Sequence, residues 1–123
     1  MEVTFNTPTR QFGVALQIDD NFDLGYYLVL EPYRNRVQFK TGAYYNLDGH
    51  KRLPSEIEME RPLTLEVGKK HHVELYVQDS ILVAYFDNEV ALNARMYNFT
   101  GRNFGLFAAD GNVTFENIRL STR

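Results

Sequence analysis

Apolar and polar residues alternate with a period of two along most of this chain, in short runs broken by Gly, Asn, Asp and Pro. That is the pattern of half-buried antiparallel strands. In the run Gln11 to Ile18, Phe12, Val14, Leu16 and Ile18 fall on one face, with Gln11, Gly13, Ala15 and Gln17 on the other. Successive strand side chains point to opposite faces, so the first set is expected in a core. The second set is small in bulk and leaves room for something to lie against it. Gly25 to Glu31 is apolar on both faces, as a central strand is, and Pro32 ends it. Val37 and Phe39 then point inward between outward Arg36, Gln38 and Lys40. Thr41 to Pro54 reads as a long hairpin loop, with a short strand at Ala43 to Asn46. Weak strands are expected at Glu56 to Met59 and Leu63 to Val67.

The second half is clearer. His71, Val73, Leu75 and Val77 alternate with His72, Glu74, Tyr76 and Gln78, and Asp79-Ser80 leads into the apolar run Ile81 to Phe86. Asp87-Asn88 turns the chain into Val90 to Tyr97, and Asp110-Gly111-Asn112 joins Phe104–Ala108 to Val113–Leu120. Helix signals are nearly absent. About ten or eleven short strands at these intervals predict an all-β fold, a two-sheet antiparallel sandwich of the concanavalin-like jelly-roll kind. Phe12, Val14, Leu16, Val37, Phe39, Ile81, Val83, Leu106 and Phe115 are its expected core.

The chain has 123 residues, no cysteine, no tryptophan and a formal charge of −3. One domain spanning 1–123 can bury a core at that length without staples. Disulfides and thiolate metal sites are excluded. The interspersed charge offers no basic field for nucleic acid, and no apolar run reaches the roughly 20 residues of a membrane-spanning helix.

The segments FGVALQIDDNFDLGYYLVLEPYRNRVQF and RPLTLEVGKKHHVELYVQDSILVAYFDNEVALNARMYNFTGRNFGLFAADGNVTFENIRL carry a resemblance. Their most specific pieces are Gly25-Tyr26-Tyr27 to Glu31-Pro32, Arg34 to Val37, Val90 to Leu92 with Arg95 to Tyr97, and Gly105 to Phe107 ahead of Asp110-Gly111. In order and spacing they resemble the C-terminal β-sandwich of glycoside hydrolase family 32 proteins, the fructosidases, invertases and levanases. They also resemble the fructan-recognising carbohydrate-binding modules of family 66. The resemblance implies a non-catalytic accessory domain from the C-terminus of a longer glycosidase, either binding carbohydrate, plausibly fructan, or bracing the catalytic domain. The catalytic carboxylates of such enzymes belong to a separate propeller, which is missing here. A free-standing sandwich hydrolase and a ligand-free interaction domain are the alternatives.

No catalytic residue is assigned. The expected carbohydrate contacts are Asp20, Glu31, Arg36, Gln38, Asn93, Arg95 and Tyr97, gathered on the face opposite the core. Small residues at Gly13 and Ala15 would make a concavity and the charged groups would give it direction. In Leu92 to Tyr97 the apolar residues take one face, leaving Arg95 between Asn93 and Tyr97, where its guanidinium could fork onto hydroxyls or pin Glu31. Tyr33, Tyr44 and Tyr45 are further aromatic candidates, with half-buried strand residues as the plainer reading. No cofactor is expected. The loop Asp19 to Asp23 fails the EF-hand template, which leaves a looser lectin-type calcium site as the alternative to a solvated turn. His71 and His72 are adjacent on a strand and point to opposite faces, so one ion cannot use both; His50 stands alone. Asn98-Phe-Thr and Asn112-Val-Thr match the glycosylation acceptor pattern. An apolar patch that once faced the catalytic domain is expected among the N-terminal strand, Ile57 and Leu63, and would permit a weak homodimer.

Overall fold

The computed structural model describes residues 1–6, 9–18, 24–43, 56–96 and 103–119. They form ten strands: β1 Glu2–Phe5, β2 Gln11–Ile18, β3 Leu24–Glu31, β4 Arg36–Ala43, β5 Glu56–Pro62, β6 His71–Gln78, β7 Ile81–Phe86, β8 Glu89–Arg95, β9 Asn103–Asp110 and β10 Val113–Glu116. A single 3-10 turn, Pro32–Arg34, joins β3 to β4. All pairings are antiparallel, in two five-stranded sheets ordered β10-β1-β6-β7-β8 and β5-β4-β3-β2-β9. The expected two-sheet sandwich is what the chain forms.

The core lies between the sheets. β2, β3 and β4 supply Phe12, Val14, Leu16, Tyr26, Leu28, Leu30, Val37 and Phe39; the other sheet supplies Val3, Phe5, Val73, Leu82, Ala84, Phe86, Leu92 and Ala94. Tyr26 stacks on Phe39 at 5.2 Å between ring centroids, and Phe5 packs on Phe12 at 5.5 Å. Removing this apolar area from water is the main force joining the sheets.

Three core assignments differ from the alternation. Ile18 is buried, but with Ala15, Tyr27 and Val29 on the far face of its sheet. Gln17 has φ 49° and the β2–β9 register shifts between Ala15 and Ile18, so an irregularity there turns Ile18 over. On β7 the inward residues are Leu82, Ala84 and Phe86, whereas Ile81 is exposed and Val83 half-buried. That run is apolar on both faces, and its parity is set by pairing to β8, where Leu82 opposes Ala94 and Ala84 opposes Leu92. Leu63–Val67 is not a strand; Leu65 is buried in the core, while Val67 is exposed.

The expected patch at the N-terminal strand is absent. β1 is paired on both sides, by β10 and β6, and its Val3 and Phe5 are buried. Leu63 packs against the core, leaving Ile57 as the exposed member of that set.

Candidate functional site

The outer face of the β5-β4-β3-β2-β9 sheet is read in rows across its ladder. In the first row Arg36 on β4 stands opposite Glu31 on β3, with Gln11 on the next strand; in the second, Glu60, Gln38, Val29, Gly13 and Phe107 follow one another from edge to edge. The third runs Ile57, Lys40, Tyr27, Ala15 and Gly105. Charge is therefore concentrated at the β3–β4 hairpin end, and aromatic surface lies further along.

The hairpin builds the charged end. Pro32 presets the first position of the 3-10 turn, and Asn35, at φ 52°, closes it with its N–H donating to the Pro32 carbonyl. Asparagine tolerates that left-handed conformation better than most residues. The result brings Arg36 back directly across from Glu31 and lets Tyr33 fold over the turn. Arg36 Nε donates to Glu31 Oε1 at 2.9 Å, while Tyr33 Oη and Gln11 Nε2 donate to Oε2 at 3.2 and 3.4 Å. Arg36 Nη1 also lies 3.2 Å from Glu60 Oε1, which accepts from Gln38 Nε2 at 2.6 Å.

Glu31 is 1% exposed and Gln38 is equally buried. Burial pushes the Glu31 carboxyl up, but the hydrogen bonds from Arg36, Gln11 and Tyr33 and the Arg36 charge outweigh it and hold the carboxyl below its ordinary range. Glu31 is therefore an ionised acceptor at neutral pH. Gln38 Oε1 is buried with no hydrogen-bond partner among the described residues, a cost native structures rarely leave uncompensated. Beside this network a depression of about 320 Å³ is lined by Arg34, Asn35, Arg36, Glu60, Arg61 and Pro62.

Glu31, Arg36 and Gln38 thus come together as expected on one face. Asn93 and Arg95 do not join them. They lie on β8, an edge strand of the other sheet, whose Leu92 and Ala94, with Met96 just beyond its end, are buried and leave both exposed on the opposite side of the sandwich. Arg95 therefore does not pin Glu31; Arg36 does. Asp20 and Tyr97 lie outside the described residues, as do Tyr44, Tyr45, His50, Asn98 and the loop 19–23. The Gly13 and Ala15 floor is not open either. Both are buried, and Phe107 lies against Gly13 and packs edge-on to Tyr27 at 6.2 Å.

Glu60 was missed. Its signal was legible in the Glu56, Glu58, Glu60 alternation beside a strand carrying Arg36, Gln38 and Lys40. His71 and His72 do point apart: His71 is buried and bridges Asp87 Oδ2, 2.7 Å from Nδ1, to the Glu66 backbone, while His72 pairs with Glu74 on the surface. Among the described residues no cluster of three His, Asp or Glu side chains is placed to hold a metal ion.

Fold and face together describe an antiparallel β-sandwich module with a preformed polar cluster on one outer face. A carbohydrate-binding module, CBM66, from Bacillus subtilis is similar to it in structure, with a TM-score of 0.70 over 94% of this chain and 68% of that one, at 16% identity. At that identity the likeness speaks for the fold. No protein-family model matches the chain, and no curated protein matches it.

Proposed function

We propose that this chain is a carbohydrate-binding module and that Glu31, Arg36, Gln38 and Glu60 form its binding cluster. The observation that carries this reading is the buried, charge-assisted network beside an accessible depression, in which the buried amide oxygen Gln38 Oε1 has no partner among the described residues. Sugar hydroxyls both donate and accept. A face that fixes a carboxylate, a guanidinium and an amide in advance pays less ordering entropy when such a ligand arrives. Tyr33, half exposed at 50% with its hydroxyl held by Glu31, offers an aromatic surface at the rim. The CBM66 likeness in fold supports the same ligand class. Within that class, the sequence resemblance makes a fructan end the first neutral ligand to try, and an accessory role beside a fructosidase propeller the natural setting.

Glu31, held below the ordinary carboxylate range, is not the raised carboxyl that a glycosidase acid requires.

Calorimetric titration of levan, inulin and a broad saccharide panel tests the proposal. Wild type is expected to bind one of them with millimolar to micromolar affinity. Arg36→Ala, which removes a side chain lining the depression, and Gln38→Ala, which releases Glu60, are expected to weaken it at least about tenfold while thermal melts show a folded protein, a lost charge-assisted hydrogen bond being worth about 1.5–3 kcal/mol. A folded wild type that binds no member of the panel would overturn the reading.

A further inference from the structure

The arginines at the hairpin end are not all accounted for by the network. Of the three that line the depression, Arg36 alone is committed to carboxylates among the described residues, Glu31 and Glu60. Arg61 spends one N–H on the Glu60 main-chain carbonyl at 2.8 Å. Arg34 sits over the Tyr33 ring at 5.2 Å, and Arg10 sits over the same ring at 5.9 Å. Stacking on an aromatic face fixes a guanidinium in place without neutralising it. The carboxylate lining the depression, Glu60, is already engaged by both Arg36 and Gln38. Two guanidinium groups with donors that no described residue takes up therefore line the depression, in a chain whose formal charge is −3.

We infer that the ligand of this site is an acidic saccharide, and that Arg34 and Arg61 receive its anionic substituent. The inference rests on the carbohydrate reading above and narrows it. A planar guanidinium fork matches the oxygens of a carboxylate, sulfate or phosphate ester, and pairs with them bidentately. A neutral sugar would use Arg36 and Glu60, which line the depression, and gain little from two further cations. An acidic one uses both halves: hydroxyls on the network, the charged group on the rim. The positive rim also attracts such a ligand at a distance, against the negative charge of the molecule as a whole. A volume of about 320 Å³ suits one or two sugar rings at the end or side of a chain.

The experiment is a set of titrations into the intact protein, at low salt and at about 0.5 M salt. The probes are oligogalacturonate for a carboxylate, dextran sulfate against dextran for a sulfate, a phosphorylated mannan against mannan for a phosphate, and levan as a further neutral sugar. Duplex DNA serves as a polyanion control. Arg34→Ala/Arg61→Ala is compared with wild type; both side chains belong to exposed residues, so the variant is expected to fold. One acidic class is expected to bind at least about tenfold tighter than neutral sugars, to weaken with salt, and to lose that advantage in the double variant. The residual neutral-sugar binding should survive. Equal affinity for acidic and neutral ligands, unchanged by the double variant, would overturn the inference and leave the binding site standing. DNA binding as tight as the acidic saccharide would also overturn it, by showing an indiscriminate polyanion surface. Absence of all saccharide binding would remove the site reading itself.

Discussion

Glu31 is the residue on which the polar face turns. A carboxylate this buried persists because Arg36, Tyr33 and Gln11 all donate to it, and removing one partner from such a set exposes the desolvation cost of the rest. Glu31→Gln keeps the shape and loses the charge. It is expected to destabilise the protein by about 1.5–3 kcal/mol at neutral pH, read as a shift in denaturant midpoint with unchanged slope. Gln38→Leu is expected to behave differently. It deletes a buried oxygen that no described residue satisfies along with a hydrogen bond to half-exposed Glu60, so stability should change by less than about 1 kcal/mol while saccharide binding falls. If both substitutions cost equal stability and neither alters binding, the network is a brace and nothing more.

At the scale of strands, the fold shows why alternation is a good guide to one face and a poor one to both. β2 and β4 have polar or small residues opposite their apolar ones, and there Phe12, Val14, Val37 and Phe39 are buried as the pattern requires. β7 is apolar throughout, so only its partner β8, with polar Asn93 and Arg95 alternating with Leu92 and Ala94, reveals that Leu82 and Ala84 face in. Leu82→Ala is accordingly expected to cost about 2–5 kcal/mol and Ile81→Ala well under half of that. Equal losses would show the assigned parity to be wrong. The Glu31–Arg36 pairing was legible in Glu-Pro-Tyr-Arg-Asn-Arg once Pro32 and Asn35 are read as the two ends of a tight turn. That Arg95 belongs to the other sheet was not legible, because strand order across a sandwich depends on pairings distant in sequence. Glycine gives a second check on the same sheet. A Cβ at Gly13 would collide with the Leu28 carbonyl oxygen, whereas one at Gly105 meets nothing within 4 Å. Gly13→Ala should destabilise by about 1–3 kcal/mol or prevent folding, and Gly105→Ala should be neutral within about 0.5 kcal/mol.

Across the whole molecule, two carboxylates tie separated pieces of chain together. Glu31 fixes the β3–β4 hairpin to the start of β2, and Asp87, between β7 and β8, accepts from the His72 N–H and holds the buried His71. Burial pushes both carboxyls up, yet their hydrogen bonds and neighbouring cations win and hold both below their ordinary values of 4.5 and 3.8. Groups depressed in the folded state lend stability above their ordinary values and lose it as pH falls through their folded ones. Thermal melts should therefore be nearly level in these contributions from about pH 7 to 5 and decline below about pH 4. Glu31→Gln/Asp87→Asn should melt lower at neutral pH and show a shallower acid decline; an unchanged acid profile would place the lability elsewhere.

The two outer faces of the sandwich make opposite claims about where a ligand goes, and an amide chemical-shift map during titration with whichever saccharide binds separates them directly. The account predicts saturable shifts along the β3–β4 hairpin and its neighbours, at Gln11, Glu31, Tyr33 to Arg36, Gln38 and Glu60 to Arg61, with Asn93 and Arg95 unmoved. Shifts centred on Asn93 and Arg95, with the hairpin silent, would contradict it.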